Sequence, residues 1–236
     1  MKRISITLLA VILTITASFN AFAQTEQTRQ VSGFNSIASA GSFIIHVKMG
    51  GTESLKLSAP KDMINDIETV VENNKLEIRF KQDRDWSNYN RYDGKIEIYI
   101  TAKSLSALSV AGSGTIKVDG VLNSSDLKFS ISGSGNITTT VKSTELNATI
   151  TGSGSINVDG STENAHLVVT GSGRYDAKGL KAGAMAVTIT GSGNAHVYAD
   201  KTLAAHITGS GHLAYSGNAS VNDIRTAGSS HITKEN

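Results

Sequence analysis

The chain has no cysteine, a single proline, few aromatic residues and almost no net charge. Without cysteine it can form no disulfide, no thiolate metal site and no cysteine nucleophile. Lys and Arg number 22 against 20 Asp and Glu, a balance that argues against a nucleic-acid partner. At 39% hydrophobic and 18% charged residues, the composition is too apolar and too weakly charged for a disordered chain. The 236 residues therefore predict a folded protein of one or two domains with a sizeable core.

Residues 1–23 have the layout of a secretory signal peptide. Lys2 and Arg3 precede an uncharged, mostly apolar stretch, and Ala21 and Ala23 supply small residues before a cleavage point at Gln24. The alternative is a membrane anchor, but the apolar run is short for a span of about 20 residues, and no later run is long enough. Removal of residues 1–23 takes two positive charges from 22 and no acid from 20. We therefore expect residues 24–236 to form an exported, formally neutral protein without a transmembrane segment.

A Gly-Ser-Gly motif recurs through the second half of the chain at intervals of 18 to 21 residues. Its six copies begin and end at Gly112 and Gly114, Gly133 and Gly135, Gly152 and Gly154, Gly171 and Gly173, Gly191 and Gly193, and Gly209 and Gly211. A degenerate seventh copy begins at Gly228. Self-similarity at this period indicates a solenoid, in which each repeat contacts only its neighbours.

Apolar and polar residues alternate on both sides of each motif. Ile131, Ile150 and Val169 stand two residues before three successive motifs, and Ile137 and Ile156 stand two residues after two of them. A period of two predicts strands with one buried face, whereas residues three and four apart form no apolar stripe of a helix. Each repeat is thus predicted to contain two short strands, the Gly-Ser-Gly turn and a second, looser turn.

Successive repeats bury their apolar rows if they stack about 4.8 Å apart in parallel register. The sequence therefore predicts an all-β, right-handed parallel β-helix with coils of about 19 residues marked by Gly-Ser-Gly turns, the hand being the one expected of parallel crossovers. In the last repeat Asn222, Thr226 and Lys234 stand at positions that are mostly apolar earlier. We expect this end of the solenoid to face water.

Residues 31–104 are less regular than residues 105–236, but no linker separates them, and we expect one domain over residues 24–236. Gly41-Ser42 is followed by Ile45 and Val47 at the offsets of the later repeats, as in a degenerate early coil. Asn73-Asn74 predicts a hairpin turn between two alternating segments. The segment 63–71 fits a strand better than a short helix.

The serial Gly-Ser-Gly turns follow an N-terminal block that contains Val31-Ser32-Gly33-Phe34 and Leu76-Glu77-Ile78. Together with the signal peptide, these motifs resemble the family called putative autotransporter adhesin, head GIN domain, over about residues 30–232. The resemblance implies a right-handed β-helix, export in a Gram-negative bacterium to the periplasm or the cell surface, and a role in adhesion. It implies no catalytic residues.

The residues themselves give little support to catalysis or to a bound metal or other cofactor. Enzymes that cleave glycans need two carboxylates at a defined separation, whereas Asp119, Asp159 and Asp176 fall at loose turns or outward positions without a basic partner. His212 and His231 follow their turns in adjacent coils, about 5 Å apart if the coils stack. A third ligand is missing from their column, so they are better explained as surface residues.

The segment from Lys81 to Gly94 holds the best candidates for ligand binding. It contains the aromatic residues Trp86, Tyr89 and Tyr92 and the arginines Arg84 and Arg91. Exposed aromatic rings beside arginine suit a sugar or a protein surface. The alternative is that Trp86 covers an open end of the solenoid, because the ends of a solenoid have to be capped.

We therefore expect a non-enzymatic, exported interaction module, adhesin-like or associated with the envelope. A rigid, elongated surface would present polar side chains to a glycan or to a cell-surface protein. A β-helical enzyme that degrades polysaccharides and a self-assembling envelope scaffold are the alternatives. The oligomeric state stays open at this point.

Overall fold

Almost every element of the protein is a β-strand. The computed structural model describes residues 24–83 and 95–235, so the predicted signal peptide lies outside the described residues. The strands are β1 (Gln24–Arg29), β2 (Ser36–Ala40), β3 (Ile44–Met49), β4 (Ser54–Pro60), β5 (Ile67–Glu72), β6 (Lys75–Phe80), β7 (Glu97–Ala102), β8 (Ala107–Gly112), β9 (Thr115–Asn123), β10 (Asp126–Gly133), β11 (Asn136–Gly152), β12 (Ser155–Gly171), β13 (Arg174–Asp176), β14 (Leu180–Gly191), β15 (Asn194–Gly209), β16 (His212–Ser216), β17 (Ser220–Gly228) and β18 (His231–Lys234). One short helix, α1 (Lys61–Ile64), separates β4 from β5. None of the helical residues in the described ranges makes a segment long and apolar enough to span a bilayer.

The Gly-Ser-Gly motifs stack directly on one another. Parallel pairing places the first glycines of the seven copies in one column, from Gly112 to Gly228. The backbone ladder continues through the turns, because the N–H of Ser153 donates to the carbonyl of Gly133 and the N–H of Ser155 donates to that of Gly135, both at 2.9 Å. The prediction of a β-solenoid with coils of about 19 residues is confirmed.

In β11, β12 and β15 the second turn of the repeat is a bend within a continuous strand, whereas short breaks separate β9 from β10, β13 from β14 and β16 from β17. β11 and β12 each run for 17 residues, through the positions where short strands and a loose turn were predicted. Their registers match from Asn136 opposite Ser155 to Gly152 opposite Gly171. Since neighbouring coils bend at the same place, their backbone groups stay paired around the corner. The buried positions change parity there, from Val141 to Leu146, so the side chains on both sides of the bend still point inward.

The interior of the solenoid is a stack of aliphatic side chains. Ile131, Ile150 and Val169 lie opposite one another in successive coils, and each is at most 1% exposed. Ile137 and Ile156 form the equivalent pair after the turn. Burial of such side chains contributes about 1.5–3 kcal/mol each, which explains why every coil needs a neighbour.

The N-terminal part of the chain does not stack in sequence order. β2 and β3 form the predicted early coil around Gly41-Ser42, and they pair with β8 and β9 of the first Gly-Ser-Gly coil. On their other side they pair with β6 and β7, which come later in the sequence. The coil of residues 36–49 is therefore inserted between two coils made from the chain that follows it.

Antiparallel strands continue the sheet beyond β6 and β7, on the side away from the Gly-Ser-Gly coils. β5 and β6 form a hairpin whose turn residues Asn73 and Asn74 have φ of 50° and 61°, which confirms the predicted hairpin turn. β4 pairs antiparallel with β7, and β1 with β4. The segment 63–71 divides into the end of α1 and most of β5, so the expectation of one strand there is only partly right.

Arg29 connects three elements at this end of the molecule. Its Nη1 atom donates to the carbonyl of Ile67 at 2.6 Å and to Oγ1 of Thr69 at 3.1 Å, and its Nη2 atom donates to the carbonyl of Ile64 at 2.9 Å. Partial burial lowers the pKa of the guanidinium from its ordinary value. One planar cation thereby joins β1 to β5 and α1.

The last coil is exposed, as predicted, but its register differs from the prediction at one residue. Thr226 lies opposite Ile207, and Lys234 lies opposite Tyr215. A register shift in β17 brings Val221 opposite Leu203, so Asn222 falls in the irregularity and does not replace an apolar side chain. Ile224 takes the next inward position, opposite Ala205. Val221 and Ile224 are each 42% exposed.

Candidate functional site

The five residues predicted to bind a ligand, Arg84, Trp86, Tyr89, Arg91 and Tyr92, lie outside the described residues. The strands that precede and follow this segment, β6 and β7, pair with β2 and β3. The binding role of these five residues stays a prediction.

A groove lies on the outer face of the adjoining strands β4, β7, β3 and β9. It has a volume of about 600 Å³. The outward side chains of its lining are His46, Lys48, Ser54, Lys56, Tyr99, Thr101, Lys117 and Asp119. Alternation along the strands requires this arrangement, because Ile45, Val47, Ile98 and Ile100 between them point into the core.

Two aromatic rings stand side by side in the groove. Pairing of β3 with β7 places His46 opposite Tyr99, and their rings are stacked with centroids 5.0 Å apart and planes 15° from parallel. The Nζ atom of Lys56 lies 5.2 Å from the centroid of the Tyr99 ring on the β4 side. Lys117 is the register partner of His46 on the β9 side. The four side chains thus form a row across four adjacent strands, which we call the aromatic row.

The charged groups of the groove divide into paired and unpaired ones. The Tyr99 hydroxyl donates to Oε2 of Glu97 at 2.7 Å, and this hydrogen bond raises the pKa of Tyr99 from its ordinary value. Lys56 forms an ion pair of 3.0 Å with Glu26. Within the described parts of the chain, Lys48 and Lys117 have no ion-pair partner, and both are exposed.

Asp119 lies opposite Lys48 across β3 and β9. With histidine counted as neutral, Lys48, Lys56 and Lys117 against Asp119 give the groove a formal charge of +2. Residues 24–236 as a whole carry 20 positive and 20 negative charges. The carboxylates of Glu26 and Glu97, which bind Lys56 and Tyr99, border the groove, so the unpaired positive charges are those of Lys48 and Lys117. The side chains present ammonium donors, a carboxylate acceptor and hydroxyl groups within one surface.

The histidines of the C-terminal coils lie on the outer surface. His212 and His231 are register partners in β16 and β18, as predicted. Nowhere in residues 24–83 and 95–235 do three or more His, Asp or Glu side chains come together in a way that could hold a metal ion. His206 has a carboxylate partner in the next coil, because its Nε2 atom lies 3.0 Å from Oδ2 of Asp223. Hydrogen bonds from His206 and Arg225 lower the pKa of Asp223.

Sequence reasoning did not find the groove, although it identified most of the strands around it. The alternation of Ile96, Ile98 and Ile100 leaves Tyr99 on the outer face, and that of Ile45 and Val47 leaves His46 there. The alternation does not show that β7 pairs with β3. Aligning the two alternating segments would have placed the two rings together.

The stacked coils define the protein as a parallel β-solenoid, and solved structures share this fold. A protein of Bacteroides fragilis described as a putative adhesin matches with a TM-score of 0.81 at 22% identity, covering 90% of this chain and 97% of that one. A protein of Parabacteroides distasonis described as a putative lipid binding protein matches with a TM-score of 0.73 at 24% identity, covering 90% and 97%. A putative adhesin of Parabacteroides merdae matches with a TM-score of 0.71 at 20% identity, covering 90% and 96%.

The chain belongs to the family described as "Putative auto-transporter adhesin, head GIN domain", whose model matches residues 33–219. The matched range begins before β2 and ends before β17, so it includes the groove and most of the solenoid. The resemblance inferred from the Gly-Ser-Gly turns is thereby confirmed. No curated protein matches the chain.

Proposed function

We propose that this protein is an exported, adhesin-like module of the bacterial envelope that binds a glycan or a protein surface without chemical turnover. The observation that carries the proposal is the groove with its aromatic row, set on the outer face of a stacked solenoid. Its strands belong to one hydrogen-bonded sheet with the coils beneath, so its side chains are held by backbone pairing. Rigid aromatic side chains beside exposed polar groups are suited to recognition.

Family membership supports the same function. The family description names an adhesin, which suits a surface or periplasmic location. Two of the solved relatives are described as putative adhesins and a third as a putative lipid binding protein, and at 20–24% identity each of them supports the fold alone. Residues 1–23 provide the export signal in this proposal, and the five residues predicted to bind a ligand in the segment 81–94 remain candidate contacts.

Binding and export are tested separately. Residues 24–236 are screened on a glycan array and against intact bacterial and host cells, as the parent chain and as variants Trp86→Ala, Tyr89→Ala and Tyr99→Ala. We expect binding that at least one of the three variants weakens, without release of reducing sugar from any bound polysaccharide. Product release would favour the polysaccharide-degrading enzyme, and absence of binding to every surface would contradict the proposal. Fractionation of cells that express residues 1–236 tests export.

One observation favours the self-assembling scaffold as a second candidate. Within the described residues β17 pairs only with β15, and its Val221 and Ile224 are exposed. If a second copy pairs antiparallel about Ile224, Asp223 of each copy faces Arg225 of the other, so the strand is complementary in charge to itself. Sedimentation of residues 24–236 at increasing concentration, beside an Ile224→Glu variant, distinguishes a dimer through this strand from a monomer.

A further inference from the structure

The groove combines features that select one chemical class of ligand. Lys48 and Lys117 are exposed cations without an ion-pair partner in the described ranges, and they lie on adjacent strands as diagonal neighbours about 7–8 Å apart. Asp119, directly opposite Lys48, is an acceptor with no partner in the same ranges. Ser54 and Thr101 add hydroxyl groups to the lining. A ligand that satisfies the groove has to carry negative charge and donate hydrogen bonds as well.

This combination excludes two simpler ligands. Inorganic sulfate or phosphate brings negative charge to the lysines but offers at most one hydrogen-bond donor to Asp119 and has no ring to pack on the aromatic row. A neutral sugar satisfies Asp119 and the hydroxyl groups but brings no negative charge to Lys48 and Lys117. A sugar acid has a carboxylate for the lysines and several hydroxyl groups for the acceptors.

The aromatic row contributes the apolar part of the site. Tyr99 covers one face of the His46 ring, and the opposite face is directed toward β9 and the flexible side chain of Lys117. A sugar ring that displaces the Lys117 stem can pack its C–H groups on this free face, while the ammonium group reaches the sugar carboxylate. Stacking on Tyr99 and the strand pairing hold His46 in place before the ligand arrives.

We propose that the groove binds a carboxylated sugar unit of an acidic polysaccharide, with Lys48 and Lys117 on the carboxylate, Asp119 on a hydroxyl group and the His46–Tyr99 pair beneath the ring. The proposal rests on the binding function above and names the ligand class of that function. An acidic peptide is the competing ligand, because it also brings carboxylates and N–H donors. It lacks the hydroxyl-rich ring that can pack on the aromatic row and donate hydrogen bonds to the acceptors of the groove.

The test uses residues 24–236 and three uronate polymers: polygalacturonate, alginate and hyaluronate. Affinity is measured by titration calorimetry at low and high salt, and the imidazole signals of His46 are followed by NMR as a local readout. We expect at least one polymer to bind, to bind about tenfold more weakly in Lys48→Gln/Lys117→Gln, and to weaken with salt. Methyl-esterified polygalacturonate, which keeps the ring but not the charge, measures the contribution of the carboxylate.

The matched control is Lys128→Gln/Lys142→Gln, which removes two exposed lysines from strands outside the groove. This variant is expected to bind as the parent does and to keep the same His46 signals. If the two double variants weaken binding equally, the effect depends only on the overall charge of the protein, and the proposal is overturned. Unchanged binding of the esterified polymer, or complete displacement by an equal charge of sulfate, would also overturn it.

The remaining outcomes show whether the ligand class alone is wrong or the proposed binding function as well. An acidic peptide is titrated in the same way. If no uronate polymer shifts the imidazole signals of His46, or only the peptide does, while the array or cell screen still detects binding, the proposed ligand class is wrong and the proposed binding function stands. If neither screen detects binding, both are wrong.

Discussion

Ile131 occupies the space that a side chain on Gly154 would need. A Cβ atom on Gly154 would lie 2.5 Å from Cγ2 of Ile131 and 2.7 Å from the carbonyl oxygen of Gly135 in the coil beneath. The same contact recurs one coil further, where Gly173 lies over Ile150. The second glycine of the motif is therefore required by packing between coils, and the branched residue before the preceding turn is its partner.

Gly154→Ala is the first prediction. We expect a loss of about 2–4 kcal/mol in the free energy of unfolding, because Ile131 and the Gly135 carbonyl have to move. Gly33→Ala, where no atom lies within 4 Å of the new Cβ but φ is 75°, should cost only about 1–2 kcal/mol. In an Ile131→Ala background the cost of Gly154→Ala should fall by about 1 kcal/mol. Denaturant unfolding of the four variants measures this coupling, and strictly additive losses would contradict it.

Ser39→Val is predicted to stabilise the protein. Ser39 is 2% exposed in the column of Ile78 and Val110, and its Oγ atom has no hydrogen-bond partner among the described residues. Replacing a buried, unbonded hydroxyl group with methyl groups should raise the free energy of unfolding by about 1–2 kcal/mol. Ser132→Val, an exposed strand position, should change it by less than about 0.5 kcal/mol. A lower stability of Ser39→Val would mean that the column has no room for the added methyl groups.

Ile150→Ala and Ile224→Ala compare the interior of the solenoid with its last coil. Ile150 is fully buried, and its truncation should cost about 2–5 kcal/mol. Ile224 is 42% exposed, and its truncation should cost less than about 1 kcal/mol. Thermal unfolding is measured at low and high protein concentration. A large cost for Ile224→Ala that appears only at high concentration would show that a second copy covers this coil.

The pH dependence of the last coil is predicted from Asp223. Hydrogen bonds from His206 and Arg225 hold the pKa of this carboxyl below its ordinary value of 3.8. A carboxyl with a lowered pKa in the folded state adds stability above its unfolded pKa, and this contribution is lost as the pH falls through the folded pKa. We expect the protection factors of the β17 amides, which correct for the intrinsic pH dependence of exchange, to fall only below about pH 4. NMR titration of the Asp223 side chain should show a higher pKa in Arg225→Gln and an unchanged one in Arg174→Gln; an ordinary pKa in the parent protein would contradict the assignment.

Arg29→Met should loosen the antiparallel strands at the other end. The substitution keeps an apolar stem but leaves the carbonyls of Ile64 and Ile67 without their donor, at a cost of about 1–3 kcal/mol. Arg29→Lys should restore little, because one ammonium group cannot reproduce the planar fork. Hydrogen exchange of the β1 and β5 amides reports the effect locally. Lys56→Met, which removes the exposed pair with Glu26, serves as the control and should cost under about 1 kcal/mol.

The sequence predicts the repeated coils well because each repeat carries the full set of signals. Alternation and the turn motif recur seven times at intervals of 18 to 21 residues, so the register of Ile131 with Ile150 follows from alignment alone. Register shifts escape this reasoning, and they occur between Thr138 and Thr140, between Ala182 and Ala184, and at Asn222. The shift at Asn222 depends on how β17 packs against β15, and a fixed offset from the turn does not contain that information.

The N-terminal part was predicted less completely, because the local sequence does not show which distant strands pair with each other. Tyr99 and His46 are 53 residues apart and each reads as an ordinary outward position of its strand. Their stacking results from the insertion of one coil between two later ones, which local alternation does not reveal. The groove could have been found only by pairing segments out of order.

This out-of-order arrangement separates the number of Gly-Ser-Gly coils from the structure of the groove. A coil in the middle of the repeats, such as the one spanning residues 153–171, bonds only to the coil on each side, so duplication or deletion of a whole coil leaves equivalent neighbours to rejoin. The coil of residues 36–49 lies between two coils that both come later in the sequence, so it has no such freedom. Duplication or deletion of one repeat can therefore change the number of Gly-Ser-Gly coils by one at a time. The groove on the N-terminal strands keeps its shape.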